Sequence, residues 1–150
     1  MTSLTRRSPA AHRVAIAEVC EDVADPGRCT AAVGDPAGGA VVSFSGVVRN
    51  HDEGRSVTEI EYVGHPDASR ILSEVAAEIA ARADVEAVAV QHRLGRLVVG
   101  DVALAAAVSA AHRAEAFSAC AELVDEIKRR LPVWKRQVFR DGSHEWTGSA

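Results

Sequence analysis

Two long stretches of this chain repeat their apolar residues at spacings of three and four, and segments that alternate every second residue flank both. The first opens at Pro66 and carries Ile71, Leu72, Val75 and Ile79 on one side, with Ser69, Arg70, Glu74, Glu78 and Arg82 on the other. The second runs from about His112 to Arg130 and is expected to bury Phe117, Cys120, Leu123, Val124 and Ile127. Around them, segments 14–19, 40–48, 57–63, 85–94 and 133–139 are apolar or alternating and mostly bounded by Gly, Pro or polar residues, which predicts strands. Segment 102–109 fits a buried strand or an Ala-rich helix; alternation of Val102, Leu104, Ala106 and Val108 favours strand. Residues 25–35 fit a short helix or a loop, residues 49–56 a polar loop, and Asp141-Gly142 a turn into a last strand around Glu145-Trp146. Strands, helix, strands, helix, strands is an α+β order: one domain over residues 14–150, a mainly antiparallel sheet and two main helices packed on it. A doubly wound fold would alternate strictly.

The 150 residues suit one domain, and 47% hydrophobic with 25% charged residues is globular. Aromatics make up only 4%, so the core must come from Val, Ala, Leu and Ile. No apolar run approaches the roughly 20 residues of a membrane span. The opening MTSLTRRSPAAHR has an arginine pair without an apolar stretch behind it, so residues 1–13 are expected to be a flexible leader, not an export signal. Cys20, Cys29 and Cys120 are odd in number and form no C-x-x-C, which points away from a disulfide framework and a zinc site. A reducing cytoplasm is the compartment expected. His51, His65, His92 and His112 lie far apart without ligand spacing, so neither a metal nor another cofactor is expected.

Residues 128–140, KRRLPVWKRQVFR, hold six basic side chains and no acidic one in a chain of net charge -4. Such a reversal concentrates positive potential where an anion could bind. Pro132 ends the helical pattern and begins an extended one. Lys135 beside Trp134 could be desolvated against an aromatic wall, which would lower its pKa and free the amine for chemistry. Alternatively, Lys128, Arg129 and Arg130 complement the negative end of a helix dipole.

His112-Arg113 falls where a strand hands over to a helix, beside first-turn N–H groups that favour an anion. The plain alternative is a surface His and Arg, with Ser109 or another residue as N-cap. Arg49 closes the most apolar strand at the start of a polar loop, a usual place for functional residues. The sixteen residues from His112 to Lys128 span about 24 Å of helix, too far for one small ligand. Either the two ends serve different sites, or a symmetric dimer brings His112-Arg113 of one chain to Lys128 and Lys135 of the other; the dimer is preferred.

These pieces in this order, GAVVSFSGVVRNH, HRLGRLVVGD, SAAHRAEAF and IKRRLPVWKRQ, resemble the large, catalytic subunit family of molybdopterin synthase over nearly the whole chain from Val14. The resemblance implies a sulfurtransferase of molybdenum cofactor biosynthesis that converts cyclic pyranopterin monophosphate to molybdopterin. It implies a small ubiquitin-like partner with a C-terminal thiocarboxylate, and a heterotetramer with the large subunits dimerised in the middle. By position, Lys128 and Lys135 would be the active-site lysines, the first nearest the thiocarboxylate and the second assisting proton transfer or holding substrate. Val47, Val48 and Arg49 would line the pocket, with Arg136 and Gln137 completing its strand, and His112 and Arg113 would bind the substrate phosphate across the dimer. The family usually has an acid where this chain has Gln137; glutamine keeps a hydrogen bond but no charge. Two lysines and an anion clamp supply positioning, charge stabilisation and proton transfer without a catalytic cysteine. Two other readings stand beside it. One is a phosphate-ligand binding module without turnover. The other, nucleic-acid binding through residues 128–140, is disfavoured by the acidic net charge and the lack of interleaved aromatics.

Overall fold

The computed structural model describes residues 12–148. Along the chain run β1 (Arg13–Cys20), α1 (Pro26–Ala32), β2 (Ala40–Val47), β3 (His51–Asp52), β4 (Arg55–Gly64) and α2 (Ala68–Ala80). Then come β5 (Val85–Arg93), β6 (Gly95–Val98), β7 (Val102–Ala110), α3 (Arg113–Arg130), β8 (Val133–Phe139) and β9 (His144–Gly148). One sheet is ordered β1-β5-β7-β2, with β1 parallel to β5 and the other pairs antiparallel. The other is ordered β3-β4-β8-β9, with β6 also on β4, and is antiparallel throughout. This is the expected α+β architecture. Of the leader expected over residues 1–13, residues 1–11 lie outside the described residues, and Arg13 already belongs to β1.

β5 and β7 are buried almost end to end because helices cover both faces of their sheet. Ala87, Ala89, Ala105 and Ala107 share a cluster with Cys29 and Val33 of the α1 region. Their opposite-facing neighbours Val88, Val90 and Val108 pack with Leu72 and Val75 of α2 and Leu123 and Ile127 of α3. Alanine on one face lets the short helix lie close. α1 itself settles the segment left open between helix and loop: Asp25 caps the N–H groups of Gly27 and Arg28, and Pro26 starts the first turn.

Several boundaries and one burial differ from expectation. Pro66 occupies a turn, and α2 starts at Ala68 after Asp67. The polar loop over residues 49–56 contains a hairpin, with Glu53 and Gly54 both at positive φ (49° and 77°) as a two-residue turn requires. The stretch after Gly95 forms β6. Phe117, expected in the core, is 62% exposed. The buried stripe of α3 runs through Ala116, Ala119, Cys120, Leu123 and Ile127, so Phe117 sits at its margin, over the outer strand β2.

Candidate active site

α3 stops where Pro132 forces the preceding Leu131 into extended backbone (ψ 120°). The Pro132 carbonyl accepts from His65 N–H at 2.9 Å, and Val133 pairs with Gly64, so β8 returns antiparallel along β4. This bend carries Lys128, in the last turn of α3, and Lys135, on β8, to one cavity of about 260 Å³. Its rim is Val47 at the end of β2, with Val48 and Arg49 just beyond that strand. Ile60 and Tyr62 of β4, His92 of β5 and Gln137 of β8 line it further. Six of the expected site residues therefore meet: Val47, Val48, Arg49, Lys128, Lys135 and Gln137.

Three others lie elsewhere. Strand alternation turns Arg136 away from the cavity, and it pairs with Glu61 at 3.3 Å. His112 is the N-cap of α3, in extended backbone and without a side-chain cap bond, while Ser109 is buried in β7. Arg113 comes next as an exposed first helical residue, so both stand at the end of α3 opposite Lys128.

The basic run divides by partner. Arg129 pairs with Glu126, and Arg130 pairs with Glu78 and Glu126. Lys128 and Lys135 have no salt-bridge partner among the described residues, and no carboxylate lines the cavity. Arg49 leans on Asp52 at 3.1 Å. Burial holds the Lys135 amine below the usual lysine range; Asp52 opposes this, and the charges of Lys128 and Arg49 add to it. The wall expected from Trp134 is not the cause. Trp134 points to the other face of β8, near His65, whereas Lys135 lies cross-strand from Tyr62. None of the thiols competes for the role of nucleophile: burial pushes Cys20 and Cys120 up, and Cys29 to about 11.

Tyr62 and His92 escaped the sequence reading. Tyr62 is the chain's single tyrosine, on the inward face of β4. His92 is a histidine 1% exposed near the end of a buried strand. A lone polar ring at an inward strand position was the available signal. Burial, with Lys128 adding, lowers the His92 imidazole to about 4 against the hydrogen bond to Arg93, so it is neutral at pH 7.

Residues 19–130 match the family described as MoaE protein. A molybdopterin synthase catalytic subunit of Nostoc is 42% identical over 114 residues, covering 75% of this chain and 69% of that protein. The subunit of the same name from Arabidopsis thaliana is 40% identical over 111 residues, 73% of this chain and 56% of its own length. This chain thus spans between about half and two thirds of these relatives. The solved molybdopterin synthase of Staphylococcus aureus superposes with a TM-score of 0.79 at 29% identity, covering 89% of this chain and 96% of that one. A complex of subunits 1 and 2 of the molybdopterin-converting factor of Helicobacter pylori, at 15% identity and a TM-score of 0.65, shares the fold.

Proposed function

This chain belongs to the MoaE protein family of molybdopterin synthase catalytic subunits, and on that premise we propose that it converts cyclic pyranopterin monophosphate to molybdopterin in the cytoplasm. Sulfur comes from the C-terminal thiocarboxylate of a small ubiquitin-like partner. One observation carries the reading: two lysines face one cavity, with no carboxylate in its lining and no ion-pair partner among the described residues. A thiocarboxylate arrives with its sulfur nucleophile already made, so the large subunit has to attract an anion, hold it near the pterin and move protons. Lys128 meets the thiocarboxylate. Lys135, its amine made less basic by burial, assists proton transfer.

His112 and Arg113 take part if a second copy supplies them. β2 is an outer strand whose Ala40 pairs with Ala110, two residues before His112, while its Val47 end borders the cavity. Two copies joined antiparallel along β2 would lay the Ala40 end of one beside the Val47 end of the other. The α3 N-terminus of each would then approach the cavity of its mate, with its first-turn N–H groups and Arg113 ready for the substrate phosphate.

The test is reconstitution with a thiocarboxylated small subunit and the cyclic pterin, scored for the dithiolene product. Mixing Lys128→Ala chains with Arg113→Ala chains then examines the shared site. Half the dimers at statistical exchange combine one doubly damaged site with one intact site, so activity should return to roughly a quarter of wild type. Exchange verified by mass spectrometry, with only the summed activity of the parents, would exclude sites shared between subunits.

A further inference from the structure

Two polar side chains stand next to each other on β5, and their surroundings are opposite. Gln91 is buried and fully engaged: its oxygen accepts from Asp25 N–H at 2.8 Å, and its amide donates to Glu18 at 2.9 Å. His92 is equally buried, and its Nδ1 lies 2.9 Å from the Arg93 carbonyl. A carbonyl only accepts, so Nδ1 carries the hydrogen and Nε2 keeps a free lone pair. No described residue bonds to that Nε2, and it is not sealed in the core, since the ring lines the cavity. The hydroxyl of Tyr62 and the side-chain amide of Gln137 share this condition: buried residues, cavity-lining, with no partner among the described residues. Tyr62 meets the His92 ring edge to face at 5.1 Å and so fixes its plane.

Buried polar groups are ordinarily paired, and three open ones converging on one cavity form a built surface waiting for a ligand's donors and acceptors. We propose that Tyr62, His92 and Gln137 form an uncharged floor that reads the flat, neutral hydrogen-bonding edge of a heterocycle, leaving anionic groups to Lys128, Lys135 and Arg49. Histidine offers an acceptor for a ring or exocyclic N–H. Glutamine offers an acceptor and a donor side by side, the complement of a cyclic amide edge, where a carboxylate could only accept. Tyrosine adds a hydroxyl that can do either. A pterin has such an edge; naming it as the heterocycle rests on the function proposed above, whereas the floor does not.

The test separates the two halves of the cavity with two probes, unsubstituted pterin and inorganic phosphate, each titrated calorimetrically. His92→Phe and Tyr62→Phe should each weaken pterin binding on the order of tenfold, and His92→Gln, which keeps an acceptor, should restore most of it. Phosphate binding should not move in any of them. In the wild-type protein, which needs no variant to fold, the ¹⁵N resonance of His92 Nε2 should shift on adding pterin and stay in place with phosphate. Unchanged pterin affinity in both Phe variants, or an Nε2 resonance indifferent to pterin, overturns the floor. A protein that binds pterin through these residues yet makes no molybdopterin overturns the proposed function and leaves the floor standing. Turnover at unchanged KM in His92→Phe does the reverse.

Discussion

Lys128 and Arg129 are adjacent on the last turn of one helix, and the regions they face differ in kind. On the outer surface around α2 and the C-terminal half of α3 the arginines have carboxylates: Arg70 has Asp67 and Glu74, Arg82 has Asp84 and Glu122, Arg129 has Glu126, and Arg130 has Glu78 and Glu126. At the cavity the two lysines have none as ion-pair partners among the described residues. Solvated pairs such as the first kind contribute little and cost little to keep. At the cavity Lys128 is exposed and Lys135 half-buried, and the two like charges repel each other with no ion-pair partner among the described residues. A basic run is therefore uninformative as a run; what separates its members is whether the fold has already supplied a counter-charge.

The hardest test of this contrast is Lys128→Ala. Product formation should fall at least about a hundredfold while the chain still folds and binds its small partner. Near-normal single-turnover rates would erase the distinction, and a fall only in proportion to lost ligand binding would point to a module without turnover. The interior version of the contrast, between His92 and the satisfied Gln91, is read from stability against pH. The folded imidazole titrates at about 4 and the unfolded one at 6.5, so the unfolded chain takes up the proton first as pH falls. Its contribution is whole above pH 6.5 and is lost progressively towards pH 4, on the order of 3 kcal/mol. Denaturant titrations across that window should show a shallower acid loss in His92→Gln; equal slopes would deny the imidazole its neutral state. Arg113, a cation without a carboxylate partner among the described residues and at the positive end of a helix dipole, extends the comparison to the far end of α3. Its replacement by Ala should weaken phosphorylated substrate by about 1.5–3 kcal/mol, and a dephosphorylated one far less. Equal penalties would mean that Arg113 does not read phosphate. Arg129→Ala is the control with the smallest expected effect: melting temperature and product formation should both stay at wild-type levels.

The lysine pair was legible because its geometry is local. Pro132 announces the bend, and the two lysines are seven positions apart in the chain. The main helices and strands were legible for a similar reason, since each keeps one period over most of its length. What escaped depends on partners remote in sequence. Val57 shares the core face with Ile60 and Tyr62 only because a bulge between Val57 and Glu59 shifts the phase of β4, so strict alternation groups it with the wrong residues. Phe117 obeys the helical spacing, but the sheet beneath it ends at β2 and leaves the ring outside. His92 and Tyr62 become a site only when β4 and β5, from different sheets, close on one cavity. Trp134 shows the opposite error: adjacency in sequence predicts contact with Lys135, and the pleat of β8 sends the two to opposite faces.

The outer edge of β2 has a consequence beyond catalysis. Its eight residues, AVVSFSGV, contain neither a charge nor a proline, the guards that keep open strand edges from recruiting other chains. If copies pair along β2 as proposed above, a copy without its mate is a colloidal hazard as well as an idle one. Its bare ribbon offers backbone donors and acceptors to any extended segment that drifts past. Supply then matters as much as chemistry. If synthesis outruns pairing, the surplus leaves solution or meets a protease, so the assembled form is also the form that survives.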